Sequence, residues 1–253
     1  MRRQHYLLGE KDFMNVFDDM GKYWAEIADQ SPTDKQVQFI KNTVDPQGLI
    51  LDLACGTGRH LIPLAEEGYS LVGLDISPHL LAIAKSRWKN ADLVRADMRF
   101  LPFKTGAFAA AVSLDTSFGY LPSEEDDSKS LKGVRLALGI NGVLVVDVFN
   151  REHLIEKHKA KSQPKWREYP SFFLLQERSV VGDGGELRDE WVIRYKSDGQ
   201  IRVFHHVVRL YALDQLRGLL EKAGFEVYDV LGDYERQKFS FGSNRLILVA
   251  QRR

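Results

Sequence analysis

An apolar run that ends in an acid and then turns through two glycines constrains this chain more than any other feature: Leu49-Ile50-Leu51-Asp52-Leu53-Ala54-Cys55-Gly56-Thr57-Gly58-Arg59. A buried strand that meets a glycine turn and continues into a helix leaves a crevice at the strand's end, where Gly56 and Gly58 let the backbone come close to a ligand. The next apolar run, Leu71-Val72-Gly73-Leu74, closes on Asp75. An acid about 20 residues beyond such a turn can accept both hydroxyls of a ribose. Together they imply an α/β fold with a nucleoside-binding crevice. The Gly-x-Gly pair by itself also opens dinucleotide folds, so NAD is the rival ligand. Against NAD, Leu61 stands where a dinucleotide fingerprint expects a third glycine. Two pyrophosphate charges would also need more free amides at that turn.

From residue 48 onward, apolar runs alternate with helical segments. Strands are expected at 49–54, 70–75, 92–96, 108–114 and 142–148, and helices at 58–67, 78–88 and 124–138. That alternation specifies a parallel sheet with helices on both faces. Ser77-Pro78 and Pro122-Ser123 are suitable helix starts, and Glu124-Glu125-Asp126-Asp127 complements the dipole of the helix it opens. Upstream, Phe13, Phe17, Met20, Trp24 and Ile27 recur at helical spacing over residues 10–29, and a second helix follows Ser31-Pro32-Thr33-Asp34. After Asn150 the alternation stops. Residues 151–167 read as a helix and a loop, and three β-patterned runs at 171–181, 186–195 and 201–211 follow, separated by glycine-rich turns. They form an antiparallel meander. A helix at 213–223, ended by Gly224, then strands at 225–231 and 245–251 complete the chain.

The ordered set Asp-x-Ala-x-Gly-x-Gly, Leu74-Asp75-Ile76-Ser77, Ala96-Asp97-Met98 and Leu114-Asp115-Thr116-Ser117-Phe118-Gly119-Tyr120 resembles the class I S-adenosylmethionine-dependent methyltransferases. The likeness runs motif by motif over residues 45–150 and by pattern alone over 208–253. It implies a Rossmann-like, seven-stranded, mostly parallel sheet with a C-terminal antiparallel hairpin, plus a small antiparallel β insertion. The implied division is a helical cap at 1–47, a cofactor-binding domain at 48–150 and 208–253, and the insertion at 151–207 as substrate cap or dimer interface. The implied cofactor is S-adenosylmethionine, leaving as S-adenosylhomocysteine. Its methionine part would pass the loop of Ala54, Gly56 and Gly58, with Asp52 near its amino group. Asp75 and the adjoining Ile76 would hold the ribose side, Asp97 and Met98 the adenine, and Leu114 the floor beside the methyl group. An aromatic from the N-terminal extension, Tyr23 or Trp24, would lie near the cofactor.

A sulfonium already activates its methyl group, so such an enzyme needs alignment and exclusion of water, and a base only for a protonated nucleophile. The loop after the fourth strand faces the methyl group in this fold, which makes Asp115, Thr116, Ser117 and Tyr120 candidates for orienting the acceptor, with Asp115 able to take a proton. His205 and His206 are neighbours on a strand and point to opposite faces, so they cannot chelate one metal together. One of them, with His205 sharing the parity of Arg209, could face the acceptor, and Arg209 could pair with a substrate carboxylate. His60 reads as a helix-surface residue and Cys55 as packing. No metal-ligand set is present in the sequence.

Composition narrows the acceptor. Thirty-five basic residues balance thirty-five acidic ones, so no global field draws the chain to nucleic acid or anionic membrane. A compact insertion with Phe172, Phe173, Trp191, Tyr195 and Phe204 suits a small-molecule acceptor, methylated on nitrogen or oxygen. The alternatives are an RNA or protein methyltransferase, served by a basic strip from Lys157 through Lys165 and Arg167, or a cofactor-binding module without catalysis. Nucleic acid is the less favoured partner, since the Asn-Pro-Pro-Tyr pattern of base-amino methyltransferases is missing, and a homodimer through the meander is open. A polar N-terminus, no apolar run of membrane length and one cysteine lead to an expected cytoplasmic location with no membrane partner.

Overall fold

The computed structural model describes residues 19–21, 23–45, 47–158 and 164–253. Phe13 and Phe17 of the expected N-terminal helix, and Lys159 and Lys161 of the basic strip, lie outside the described residues. Residues 23–28 are helical and α1 (Thr33–Lys41) follows. The chain then runs β1 (Leu49–Leu53), α2 (Leu61–Glu66), β2 (Ser70–Asp75), α3 (Pro78–Arg87), β3 (Asp92–Arg95), β4 (Phe108–Ser113), α4 (Glu124–Ala137) and β5 (Leu138–Phe149). After α5 (Arg151–Lys157) come β6 (Lys165–Glu168), β7 (Phe172–Val181), β8 (Glu186–Tyr195) and β9 (Ile201–Arg209). The last elements are α6 (Leu213–Lys222), β10 (Phe225–Leu231) and β11 (Arg245–Arg252).

The main sheet has seven strands in the order β10-β11-β5-β4-β1-β2-β3, all parallel except β11, which is antiparallel to both its neighbours. Ile50, Leu51 and Leu53 of β1 are buried, as a strand covered on both faces requires. Two apolar layers sandwich the sheet, one around Leu51, Leu144 and Leu216 and the other around Ile50, Val112 and Ile247. Strand order reverses between β1 and β4, which opens a crevice beyond their carboxyl ends. Packing under the glycine turn is tight: a Cβ on Gly73 of β2 would lie 2.6 Å from Leu61 Cδ1 and 2.7 Å from Cys55 Sγ. Cys55 is therefore a packing residue, its buried thiol pushed well above the usual range by desolvation.

A second, antiparallel sheet has the order β6-β7-β8-β9. The expected meander of three strands gains β6, a four-residue edge strand whose Lys-Trp-Arg-Glu sequence is exposed throughout and carries no alternating pattern. Leu174, Trp191 and Ile193 on its inner face pack with Met20 and Tyr23, so the N-terminal helical segment is held against the second sheet. Helix α2 begins three residues later than the pattern suggests, because Gly58 adopts φ +73° and delays entry. Ser77, Ser123 and Asn150 cap α3, α4 and α5 through their side chains.

Candidate active site

The crevice is a cleft of about 670 Å3, open mouth included, walled by Trp24, Gly56, Leu74, Asp75, Ile76, Ala96, Asp97, Met98, Asp115, Ser117, Tyr120 and Leu121. It continues beneath the glycine turn as a polar lobe of about 400 Å3 lined by Asp52, Ala54, Thr57, Arg59, His60, Leu114 and Asp115. Trp24, Ala54, Gly56, Asp115 and Ser117 border both parts. A Cβ added at Gly56, whose φ is +55°, would meet no atom within 4 Å, so the turn presents bare backbone to open cleft.

Each motif contributes a carboxylate. Asp75, at the end of β2, accepts the Gly56 N–H at 2.8 Å and the Ser77 N–H at 2.9 Å, which ties the glycine turn to the start of α3. Asp97, just beyond β3, is gripped by Arg99, whose Nη2 and Nε donate at 2.7 and 2.9 Å. Asp52 is buried at the end of β1, and its Oδ2 has no hydrogen-bond partner. Burial pushes its carboxyl up to about 7; Arg59 works against that rise and Asp75 with it. The Thr57 hydroxyl is likewise buried without a partner. A deep acid and a hydroxyl left unmatched beside a polar lobe are what an absent ammonium and carboxylate would satisfy.

Asp115 and Thr116, directly after β4, both adopt left-handed backbone, φ +56° and +64°. For residues with a Cβ this costs roughly 1–2 kcal/mol each. Arg59 Nη2 donates to Asp115 Oδ2 at 3.0 Å, and its Nη1 donates to Thr33 Oγ1 and Gln36 Oε1. In the sequence Arg59 is only the end of the glycine motif, and its partners Thr33, Gln36 and Asp115 all lie far along the chain. Tyr120 contributes its ring to the wall; burial and the nearby Asp189 raise its phenol, which stays protonated.

Several expectations are corrected. Tyr23 does not line the cleft: its buried ring sits against Phe172, Tyr195 and Phe204, while Trp24 lines both parts of the cleft and stacks on Trp191 at 5.7 Å and 11°. One step along a helix turns a side chain by about 100°, enough to exchange core and cleft. His60 is buried rather than on a helix surface, and its Nε2 donates to Gln36 Oε1 at 3.0 Å. Burial, aided by Arg59, drives its basicity well below the usual histidine range, so the ring is neutral. His205 points outward, exposed beside Glu190. His206 faces inward, buried 3.6 Å from Asp189 and against Trp191 and Tyr120, its basicity lowered by burial to about 4. Neither histidine borders the cleft.

Arg209 is not free for a substrate carboxylate. It donates to Asp127 Oδ2 at 2.6 Å and to the carbonyls of Leu121 and Pro122 at 3.2 and 3.1 Å. Asp127, the last acid of the run that opens α4, turns inward to meet it and Tyr211. That ion pair is structural. No group of three or more histidine, cysteine or acidic residues suited to a metal occurs among the described residues. No helix among them is long and apolar enough to cross a membrane.

A seven-stranded sheet with one reversed strand, a glycine turn and acids at successive strand ends defines the class I methyltransferase fold. The methyltransferase domain family matches residues 50–142. A glycine/sarcosine N-methyltransferase of Parasynechococcus marenigrum (strain WH8102) is 35% identical over 195 residues, covering 74% of this chain and 66% of its own. One from Halorhodospira halochloris is 30% identical over 196 residues, covering 74% of this chain and 68% of its own. The solved CcbJ methyltransferase from Streptomyces caelestis shares the fold with a TM-score of 0.80 across 95% of this chain and 97% of that one, at 18% identity. The chain belongs to the S-adenosylmethionine-dependent methyltransferases, and S-adenosylmethionine is its cofactor.

Proposed function

We propose that the enzyme methylates an amine nitrogen of a small molecule held in the cleft between the glycine turn and the loop after β4. The observation that carries this reading is Asp115: one carboxylate oxygen is anchored by Arg59 while the residue borders both parts of the cleft at the end of β4. Bound S-adenosylmethionine supplies a methyl group on a sulfonium that departs neutral. Asp52 and Thr57 would take the ammonium and carboxylate of its amino-acid end, Asp75 the ribose hydroxyls and Asp97 the adenine amino group.

Asp115 Oδ1 then takes a hydrogen bond from the acceptor N–H and stabilises the positive charge that grows on nitrogen during in-line attack. An amine becomes nucleophilic once its ammonium proton has passed to bulk water before binding, whereas a hydroxyl must give up its proton to a base as it attacks. One oxygen of Asp115 is held by Arg59, and neutral His60 is committed to Gln36. Trp24, Met98, Tyr120 and Leu121 exclude water from the reacting atoms. The two glycine/sarcosine N-methyltransferases to which the chain is similar act on amines by name, which agrees with this reading.

A screen of small amines, glycine, sarcosine and amino sugars included, against hydroxyl acceptors with methyl-labelled cofactor tests it. Label should move to nitrogen, and Asp115→Asn should lower kcat on the order of 100-fold, as for loss of one charge-stabilising group in a dry site. Label on oxygen acceptors alone would overturn the amine assignment.

A further inference from the structure

The left-handed turn that carries Asp115 is held by residues far away in sequence. Asp147, fully buried near the end of β5, accepts the Asp115 N–H through Oδ2 at 2.8 Å, and its own carbonyl accepts the Thr116 N–H at 3.1 Å. Arg245, the first residue of β11, donates from Nε to Asp147 Oδ1 at 2.7 Å and from Nη2 to Thr116 Oγ1 at 2.8 Å. Tyr234, in the loop between β10 and β11, donates its hydroxyl to Asp147 Oδ2 at 2.5 Å and accepts from Gln36 Nε2 at 2.7 Å. Gln36 in turn accepts from Arg59, which grips the Asp115 side chain. A closed ring of hydrogen bonds therefore reaches the Asp115 backbone from one side and its carboxylate from the other.

From this geometry we infer that Tyr234, Asp147 and Arg245 are positioning residues, which keep the Asp115–Thr116 turn left-handed and so aim the Asp115 carboxylate at the site of the transferred methyl group. A β-branched threonine does not hold that conformation unaided. Both amides of the turn are bound by Asp147, and the threonine hydroxyl by Arg245, so the turn cannot relax to ordinary backbone while the ring is intact. Without the ring the turn flips and carries the carboxylate off the cleft. Such interlocked buried bonds act as a unit, and loss of one loosens the rest. The inference rests on the amine-orienting role of Asp115 proposed above.

The test needs no knowledge of the acceptor. Sinefungin differs from S-adenosylhomocysteine by an ammonium-bearing carbon at the position of the sulfur, which places a cation where the methyl group travels. Calorimetric titration of both ligands gives a preference ratio for sinefungin. Asp115→Asn should cut the ratio about tenfold or more, as loss of a charge-assisted hydrogen bond does. Tyr234→Phe and Asp147→Asn should cut it similarly with S-adenosylhomocysteine affinity unchanged; Tyr234→Phe, which deletes one hydroxyl, serves if Asp147→Asn fails to fold. Parallel loss of affinity for both ligands, or an unchanged ratio in Tyr234→Phe while Asp115→Asn lowers it, would overturn the positioning role alone. A wild-type protein without the preference, or one that keeps it in Asp115→Asn, would overturn the Asp115 reading and this inference with it.

Discussion

Two buried carboxylates, one lining the cleft and one within the second sheet, are built in opposite ways. Asp52, on the glycine-turn side, leaves Oδ2 without a partner, and its nearest basic group, His60 Nδ1, is 3.9 Å away and neutral. Asp189, on the inner face of the second sheet, accepts from Gln176 Nε2 and Arg178 Nε at 2.7 Å and from Trp191 Nε1 at 2.9 Å. Burying an unpaired charge is costly, whereas a paired one can be retained by the fold. The difference separates a carboxylate whose partner is the ligand from one whose partners are the protein. Asp52 belongs to binding and Asp189 to the architecture that supports Trp191, on which the cleft residue Trp24 stacks.

The comparison breaks first at Asp189. Replacing it by alanine strands Arg178, Gln176 and the Trp191 indole, and should destabilise the protein by about 3 kcal/mol or more in chemical denaturation. Asp75→Ala should keep the fold and lower S-adenosylhomocysteine affinity by about 100-fold in calorimetric titration, because charge-assisted bonds to the ribose and to the glycine turn go together.

Asp52 gives a smaller effect with a distinctive pH dependence. Burial holds its folded-state carboxyl at about 7, well above the usual aspartate range, so the folded apo form favours the proton. The stability it contributes is complete below the unfolded value and is lost as pH rises through about 7. Asp52→Asn should therefore raise the apo melting temperature at pH 8 while weakening S-adenosylhomocysteine about tenfold. Wild-type affinity should rise with pH through that same range, as ionised Asp52 meets the ligand's ammonium, and the asparagine variant should lose that rise. A flat wild-type profile would put Asp52 in the same structural class as Asp189.

The glycine turn and the acids at 52, 75 and 97 were legible because each occupies a strand end fixed by an apolar run, and strand ends in a parallel sheet converge on one crevice. The meander followed from turn residues and alternating patterns, and the reversed final strand from the family resemblance. What stayed hidden depends on contacts between distant segments. Nothing local marks Asp147, Tyr234 or Gln36 as neighbours of Asp115, and nothing near Arg209 announces that Asp127 turns inward to meet it. Trp24 and Tyr23 are adjacent aromatics on one helix, and only the second sheet decides which ring enters its core. Strand β6 was invisible for another reason: a four-residue edge strand with both faces wet needs no apolar alternation.

The most direct test of the division between ligand-facing and protein-facing acids is the crystal structure of the S-adenosylhomocysteine complex. The ligand's ammonium should lie within hydrogen-bond distance of Asp52 Oδ2 and the ribose hydroxyls on Asp75, with Asp189 keeping its three partners. A ligand bound with Asp52 still unpartnered, or seated away from the glycine turn, would contradict that division.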